Sequence, residues 1–183
     1  PHGRVVAVST ADPSQARWRD IVPERADAVI EHVSFGRGRI AVTYRRNACN
    51  LVEVFDATGK SLGTLRQPGI GVASLIAEED RTEAFLTFAS FNYPATIFRV
   101  DLANPSAASI LWMAPEVAVD PSAVEVEQVW YPSKDGTKIS MFLAHKTGLV
   151  PAGDAPTLLL GYGAFGISMT PTFNPSRFVI LEA

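Results

Sequence analysis

The stretch Thr157-Leu158-Leu159-Leu160-Gly161-Tyr162-Gly163-Ala164-Phe165-Gly166 joins an apolar run to a glycine-rich loop that carries a phenol. Glycine lets a backbone take φ > 0 and approach a ligand closely, so this loop presents Tyr162 and Phe165 on a bare, sharply turning chain. Thr157–Leu160, bounded by Pro156 and Gly161, suits a strand buried on both faces of an α/β sheet, where the loops that follow strands bind ligands. Periodicity alone is also compatible with a short buried helix. Two readings stay open on these residues: the wall of an active site, or a turn whose two aromatics cap a core.

The rest of the composition narrows the function classes. Of 183 residues, 47% are hydrophobic and 19% charged, with a net charge of −3. Apart from Arg37, Arg39, Arg45 and Arg46 the arginines are scattered, so no stripe for a polyanion forms and nucleic acid is not expected as a partner. Apolar runs fall far short of the roughly 20 residues of a membrane helix, and no signal peptide is visible, although the chain opens on Pro1 rather than methionine. No membrane partner is expected. The lone Cys49 has no intramolecular disulfide partner and reads as a small buried hydrophobe, which a reducing compartment suits.

Positioning the glycine loop requires a scaffold, and most of the chain reads as short β-strands. Residues 4–116 offer no helical pattern; strands are expected near 4–9, 17–22, 30–35, 40–45, 51–55, 62–66, 72–77, 84–88, 96–101 and 109–113. Asp56-Ala57-Thr58-Gly59-Lys60 reads as a hairpin loop with a late glycine, and Phe35-Gly36-Arg37-Gly38-Arg39 as another tight connection, so neighbouring strands should be antiparallel. The segment from Val8 to Glu24 matches Val100 to Glu116 without a gap, sharing Val, Ala, Pro-Ser, a second Ala and Pro-Glu. That offset is 92 residues, and a related segment places Val54 midway, 46 from each. A period of about 40–50 residues with four strands per unit is that of a β-propeller blade. Residues up to about 116 then hold the last two strands of one blade and two complete blades. A closed ring needs about four to eight, so the expected parent is longer than this chain.

After Pro115 the texture changes. Val117–Val124 suits an interdomain linker, and the alternating runs Val126–Pro132 and Thr137–His145 flank Asp135-Gly136, a strong hairpin signal. Asn174-Pro175 before Ser176–Ala183 reads as an N-cap and a first-turn proline opening a helix.

The blocks WYPSKDGTKISMFLAHKTG and LLLGYGAFGISMTPTFNPSRFVILEA resemble the start of the catalytic domain of prolyl oligopeptidases, a family of serine peptidases, and the resemblance extends back over the whole chain. It implies a mixed fold: about two and a half C-terminal blades of a β-propeller over residues 1–122, then the beginning of an α/β-hydrolase domain over 123–183. One departure is Gly163-Ala164-Phe165 where many relatives have Gly-Gly-Phe; a methyl group fits there unless that backbone needs positive φ.

Such a peptidase needs a nucleophile, an oriented base and donors for the oxyanion. The one Gly-x-Ser-x-Gly in the sequence, Gly59-Lys60-Ser61-Leu62-Gly63, falls at the hairpin between two expected blade strands and not at a strand-to-helix elbow; the family order places Ser, Asp and His beyond Ala183, so His2, His32 and His145 are not expected to be catalytic and the chain alone should be inactive. His145 reads as a surface residue and His32 as a structural one. By resemblance, Tyr162 matches the tyrosine whose hydroxyl helps form the oxyanion hole, and Phe165 an aromatic of the substrate pocket. The implied reaction is hydrolysis of short peptides after proline, with no cofactor or metal, the propeller covering the active-site mouth. A cytoplasmic protein is expected, a periplasmic one being the alternative, and oligomeric state is left open. Two other readings remain: an oligopeptidase B-like enzyme cleaving after Lys or Arg, whose loop tends to place tyrosine where Phe165 stands, and a non-catalytic propeller scaffold.

Overall fold

Turn chemistry and strand alternation settle most of the architecture seen in the computed structural model, which describes residues 2–150 and 152–182. In chain order the strands are β1 (Val5–Ala7), β2 (Arg19–Val22), β3 (Val29–Gly36), β4 (Arg39–Arg46), β5 (Cys49–Asp56), β6 (Ser61–Thr64), β7 (Val72–Ala77), β8 (Glu83–Ser90), β9 (Tyr93–Asp101) and β10 (Ile110–Met113). The pair β11 (Val124–Pro132) and β12 (Lys138–Lys146) follows, and then a helix α1 (Ser176–Glu182). All ten strands expected before residue 116 are present, and the only helical turn among the described residues of that stretch is a short 3-10 segment at Gln15–Arg17. They form two four-stranded antiparallel sheets, β3-β4-β5-β6 and β7-β8-β9-β10, preceded by the two-stranded β1-β2. The four sheets, β11-β12 included, do not close into a ring among the described residues.

The repeat has a structural counterpart. Val54 lies in β5 and Val100 in β9, the third strands of their sheets, and Val8 directly follows β1. The β1-β2 pair thus occupies the position of the last two strands of a blade, as the self-match requires.

Hairpin loops have the expected chemistry. The Asp56 carboxylate accepts hydrogen bonds from the amides of Thr58 (2.8 Å) and Lys60 (3.0 Å), and Gly59 turns the chain at φ 93°. Gly59 is needed twice over, because a Cβ there would stand 2.0 Å from the Ile21 carbonyl oxygen of β2. At Arg37-Gly38 a two-residue loop joins β3 to β4, with Gly36 paired to Arg39 and Gly38 at φ 68°. The β4–β5 connection is also two residues long, with Asn47 and Ala48 both at positive φ.

Alternation along the strands then builds two layers of core. One joins the two four-stranded sheets through Ala41, Val52 and Val54 on one side and Leu75, Leu86, Phe88 and Val100 on the other. The second joins β1-β2 to the opposite face of the first four-stranded sheet through Ile21, Val22, Val42 and Tyr44. Polar bonds fix the spacing between sheets: the buried Ser34 hydroxyl donates to the Leu75 carbonyl at 3.0 Å, and Asn50 accepts from the Ala73 amide at 3.2 Å. Each satisfies groups that burial would otherwise leave unpaired.

The last third departs from expectation at one element. Thr157–Leu160 is not a strand, and Leu159 is 79% exposed, with Leu158 and Leu160 also exposed. A strand of a parallel sheet is held by neighbours on both edges and covered on both faces, whereas β11 and β12 pair only with each other. Nothing among the described residues supplies an edge for the leucines, and the expected opening of an α/β-hydrolase sheet is not seen among them. The helix start is as read: the Asn174 carboxamide oxygen accepts from the Ser176 amide at 2.9 Å, an N-cap with Pro175 in the first turn. No helix among the described residues is long and apolar enough to cross a membrane.

Candidate functional site

The glycine loop acquires its shape from one turn. The Ile167 amide donates to the Ala164 carbonyl at 3.1 Å, and the two residues between them, Phe165 and Gly166, stand at φ 55° and 65°. Positive φ at both central positions is the type I′ arrangement, ordinary for glycine and uncommon for an aromatic residue. Phe165 is 92% exposed. Tyr162, just before the turn, is 49% exposed. Ala164 is not among the positive-φ residues, so the alanine in place of a second glycine carries no conformational penalty. The loop therefore carries two accessible aromatics three residues apart, and no described hydrogen bond engages the Tyr162 hydroxyl.

The histidines lie elsewhere. His32 is exposed beside an irregularity in the β3–β4 pairing rather than packed as a structural residue. His145 is more enclosed than a surface reading implies: its side chain is 19% exposed, Nδ1 lies 2.9 Å from the Lys146 carbonyl oxygen, and Nε2 faces Glu127 at 3.8 Å. Cys49 is half-buried, and burial pushes its thiol pKa up, which suits an inert side chain.

What positions the last third against the sheets was not legible beforehand. The Gln128 carboxamide donates to the Asn47 carbonyl at 2.7 Å, and Asn92 donates to the Val124 carbonyl at 2.7 Å. Phe91 meets Phe142 edge to face, and the Arg177 guanidinium lies over the Phe91 ring at 4.9 Å. These contacts tie the β4–β5 and β8–β9 turns to one face of the β11-β12 hairpin and to α1. Beside them is a cleft of about 150 Å³ lined by residues that include Asn47, Cys49, Ile70 and Gln128. At the base of the hairpin, Thr147 closes back on the preceding segment, its amide bonding Ala123 and its hydroxyl Ser122.

With the sheets and the loop in place, comparison with known proteins gives the affiliation. The family model described as the prolyl oligopeptidase N-terminal β-propeller domain matches residues 1–110. A prolyl endopeptidase of Elizabethkingia miricola is 32% identical over 183 residues, covering 100% of this chain and 25% of its own. A dual function macrocyclase-peptidase of Amanita bisporigera is 35% identical over 187 residues, with the same shares covered. Among solved structures, one from a study of two prolyl endopeptidases and their inter-domain dynamics superposes with a TM-score of 0.88 at 39% identity, over 100% of this chain and 27% of that one. Apo prolyl oligopeptidase B from Galerina marginata gives 0.86 at 32% identity, over 100% and 26%. The chain belongs to the prolyl oligopeptidase family of peptidases, and it spans about a quarter of the length of the curated relatives it matches.

Proposed function

We propose that this chain is part of a serine-type oligopeptidase that hydrolyses short peptides after proline by acyl transfer. The observation that carries this reading is the match over all 183 residues to prolyl endopeptidases, which runs through the propeller strands and the glycine loop alike. In this reading residues 1–122 belong to the propeller and 123–183 open the catalytic domain, with nucleophile, base and orienting carboxylate supplied by sequence after Ala183.

Tyr162 is the oxyanion donor in this scheme. When a serine oxygen attacks the scissile carbonyl, negative charge gathers on the carbonyl oxygen, and a phenol hydroxyl donates a hydrogen bond to it without bringing a competing charge. Phe165 supplies a flat apolar wall against which a pyrrolidine ring or a neighbouring side chain packs. The exposure of both side chains keeps them available for these roles.

The test uses the complete reading frame that contains this chain. Chromogenic peptides differing only in Pro, Lys or Arg before the scissile bond are compared, together with labelling by a fluorophosphonate probe of active serines. Turnover confined to the proline substrate, with stoichiometric labelling, is expected. Preference for Lys or Arg transfers the assignment to a basic-specific oligopeptidase, and absence of both turnover and labelling transfers it to a scaffold. The 183-residue chain by itself is expected to show neither.

A further inference from the structure

The β11-β12 register puts three ligand-type side chains on one face of the hairpin. Glu125 is paired directly with His145, and Glu127 lies two residues along the same strand, so all three project to the same side. That side is opposite the one carrying Gln128 and Phe142, which contact the blade turns. One potential ligand atom from each residue lies within 4.8 Å of the others. Within the two strands no lysine or arginine shares this face, since Lys138 and Lys146 pair with Pro132 and Val124 on the other one.

The imidazole separates this cluster from an ordinary acidic patch. A carbonyl oxygen can only accept, so the 2.9 Å contact with the Lys146 carbonyl assigns the proton of the neutral ring to Nδ1. Nε2 then carries the free lone pair, and its 3.8 Å separation from Glu127 is longer than a hydrogen bond. With the ring neutral, the three side chains offer Lewis-basic atoms within 4.8 Å of one another. A backbone carbonyl that holds Nδ1–H and leaves Nε2 free is also the usual support of a metal-binding histidine.

We propose that Glu125, Glu127 and His145 form a surface site for a divalent transition-metal cation of the zinc type, held by one imidazole nitrogen and two carboxylate oxygens with water completing the shell. One nitrogen and two oxygens suit zinc, whose ligand bonds of about 2.0–2.2 Å are reached by small rotations of two exposed glutamates; magnesium and calcium select all-oxygen shells. The ion cross-links β11 to β12 near the segment that joins the hairpin to the blades.

Zinc chloride titrated calorimetrically into the 183-residue chain at pH about 7.5 tests the site. One saturable zinc is expected, unaffected by excess magnesium, with affinity falling by at least about tenfold in His145→Ala and in Glu127→Gln. Zinc should raise the melting temperature of the wild type and not of these variants, whose metal-free melting points serve as the control for folding. No saturable binding up to millimolar zinc overturns the proposal. So does binding that both variants retain, which would place the ion at His2, His32 or Cys49.

Discussion

Phe91, in the two-residue turn between β8 and β9, meets Phe142 of β12 with ring centroids 5.7 Å apart and planes inclined at 68°. Arg177 of α1 lies over the same Phe91 ring at 4.9 Å. One turn residue of the last blade thus touches both ordered elements of the final third, and its loss should release them together. An edge-to-face pair contributes about 0.5–1.5 kcal/mol and a cation-π contact about 0.5–1 kcal/mol beyond area burial. In Phe91→Ala the amides of β11 and β12 should lose about tenfold in hydrogen-exchange protection while those of β4 and β8 are unchanged. Uniform loss across the sheets would mean that the hairpin unfolds with the blades and not before them.

Ala48 offers a stabilising change. Asn47 and Ala48 form the two-residue loop between β4 and β5 at φ 53° and 61°, the type I′ geometry for which Asn-Gly is the favoured pair. A left-handed alanine costs roughly 1–2 kcal/mol, whereas glycine adds about 0.4–1 kcal/mol of unfolded-state entropy that folding must remove. Ala48→Gly should therefore gain on the order of 0.5–1 kcal/mol, read as a melting temperature higher by about 1–4 °C. A lower melting temperature would show that the methyl group makes packing contacts that outweigh the strain.

That loop also shows where sequence reading stops. Hairpins marked by Gly38, Gly59 and Gly136 were legible because the turn chemistry is local, and the 46-residue spacing of Val8, Val54 and Val100 located equivalent strands without any long-range information. The Asn47-Ala48 turn reverses the chain as tightly as Arg37-Gly38 with no glycine to signal it. The Gln128 to Asn47 bond spans 81 residues and carries no pattern. Thr157–Leu160 fails for a related reason: three leucines specify an apolar environment, but the strand is created by neighbours that the described chain does not provide. The aromatic loop was legible as a turn presenting Tyr162 and Phe165, although not that Phe165 itself would take the left-handed position.

Asp27 links charge to acid stability. The Arg25 guanidinium hydrogen-bonds its carboxylate and, with Arg46 nearby, holds its pKa down to about 2. A carboxylate whose folded pKa lies below its unfolded value stabilises the fold above the unfolded pKa, and that contribution is lost as pH falls through the folded one. The window runs from the ordinary Asp value of about 3.9 down to about 2. Asp27→Asn should melt lower than the wild type at pH 6, with the two melting curves converging toward pH 2. A constant difference across that range would assign the effect to packing instead of charge.

Tyr162→Phe distinguishes catalysis from packing, and it belongs in the complete enzyme. The substitution removes one hydroxyl and keeps the ring, so a donor engaged only by the oxyanion is lost without disturbing ground-state contacts. Removal of such a donor typically lowers kcat on the order of 10²–10³-fold, about 2.7–4 kcal/mol, with little change in KM. A rate-limiting conformational step would mask part of this, so single-turnover acylation is the appropriate readout. If Tyr162 instead caps a core, the Phe variant should keep wild-type kcat and Tyr162→Ala should melt markedly lower. Wild-type acylation by Tyr162→Phe, at unchanged melting temperature, would remove the hydroxyl from the mechanism.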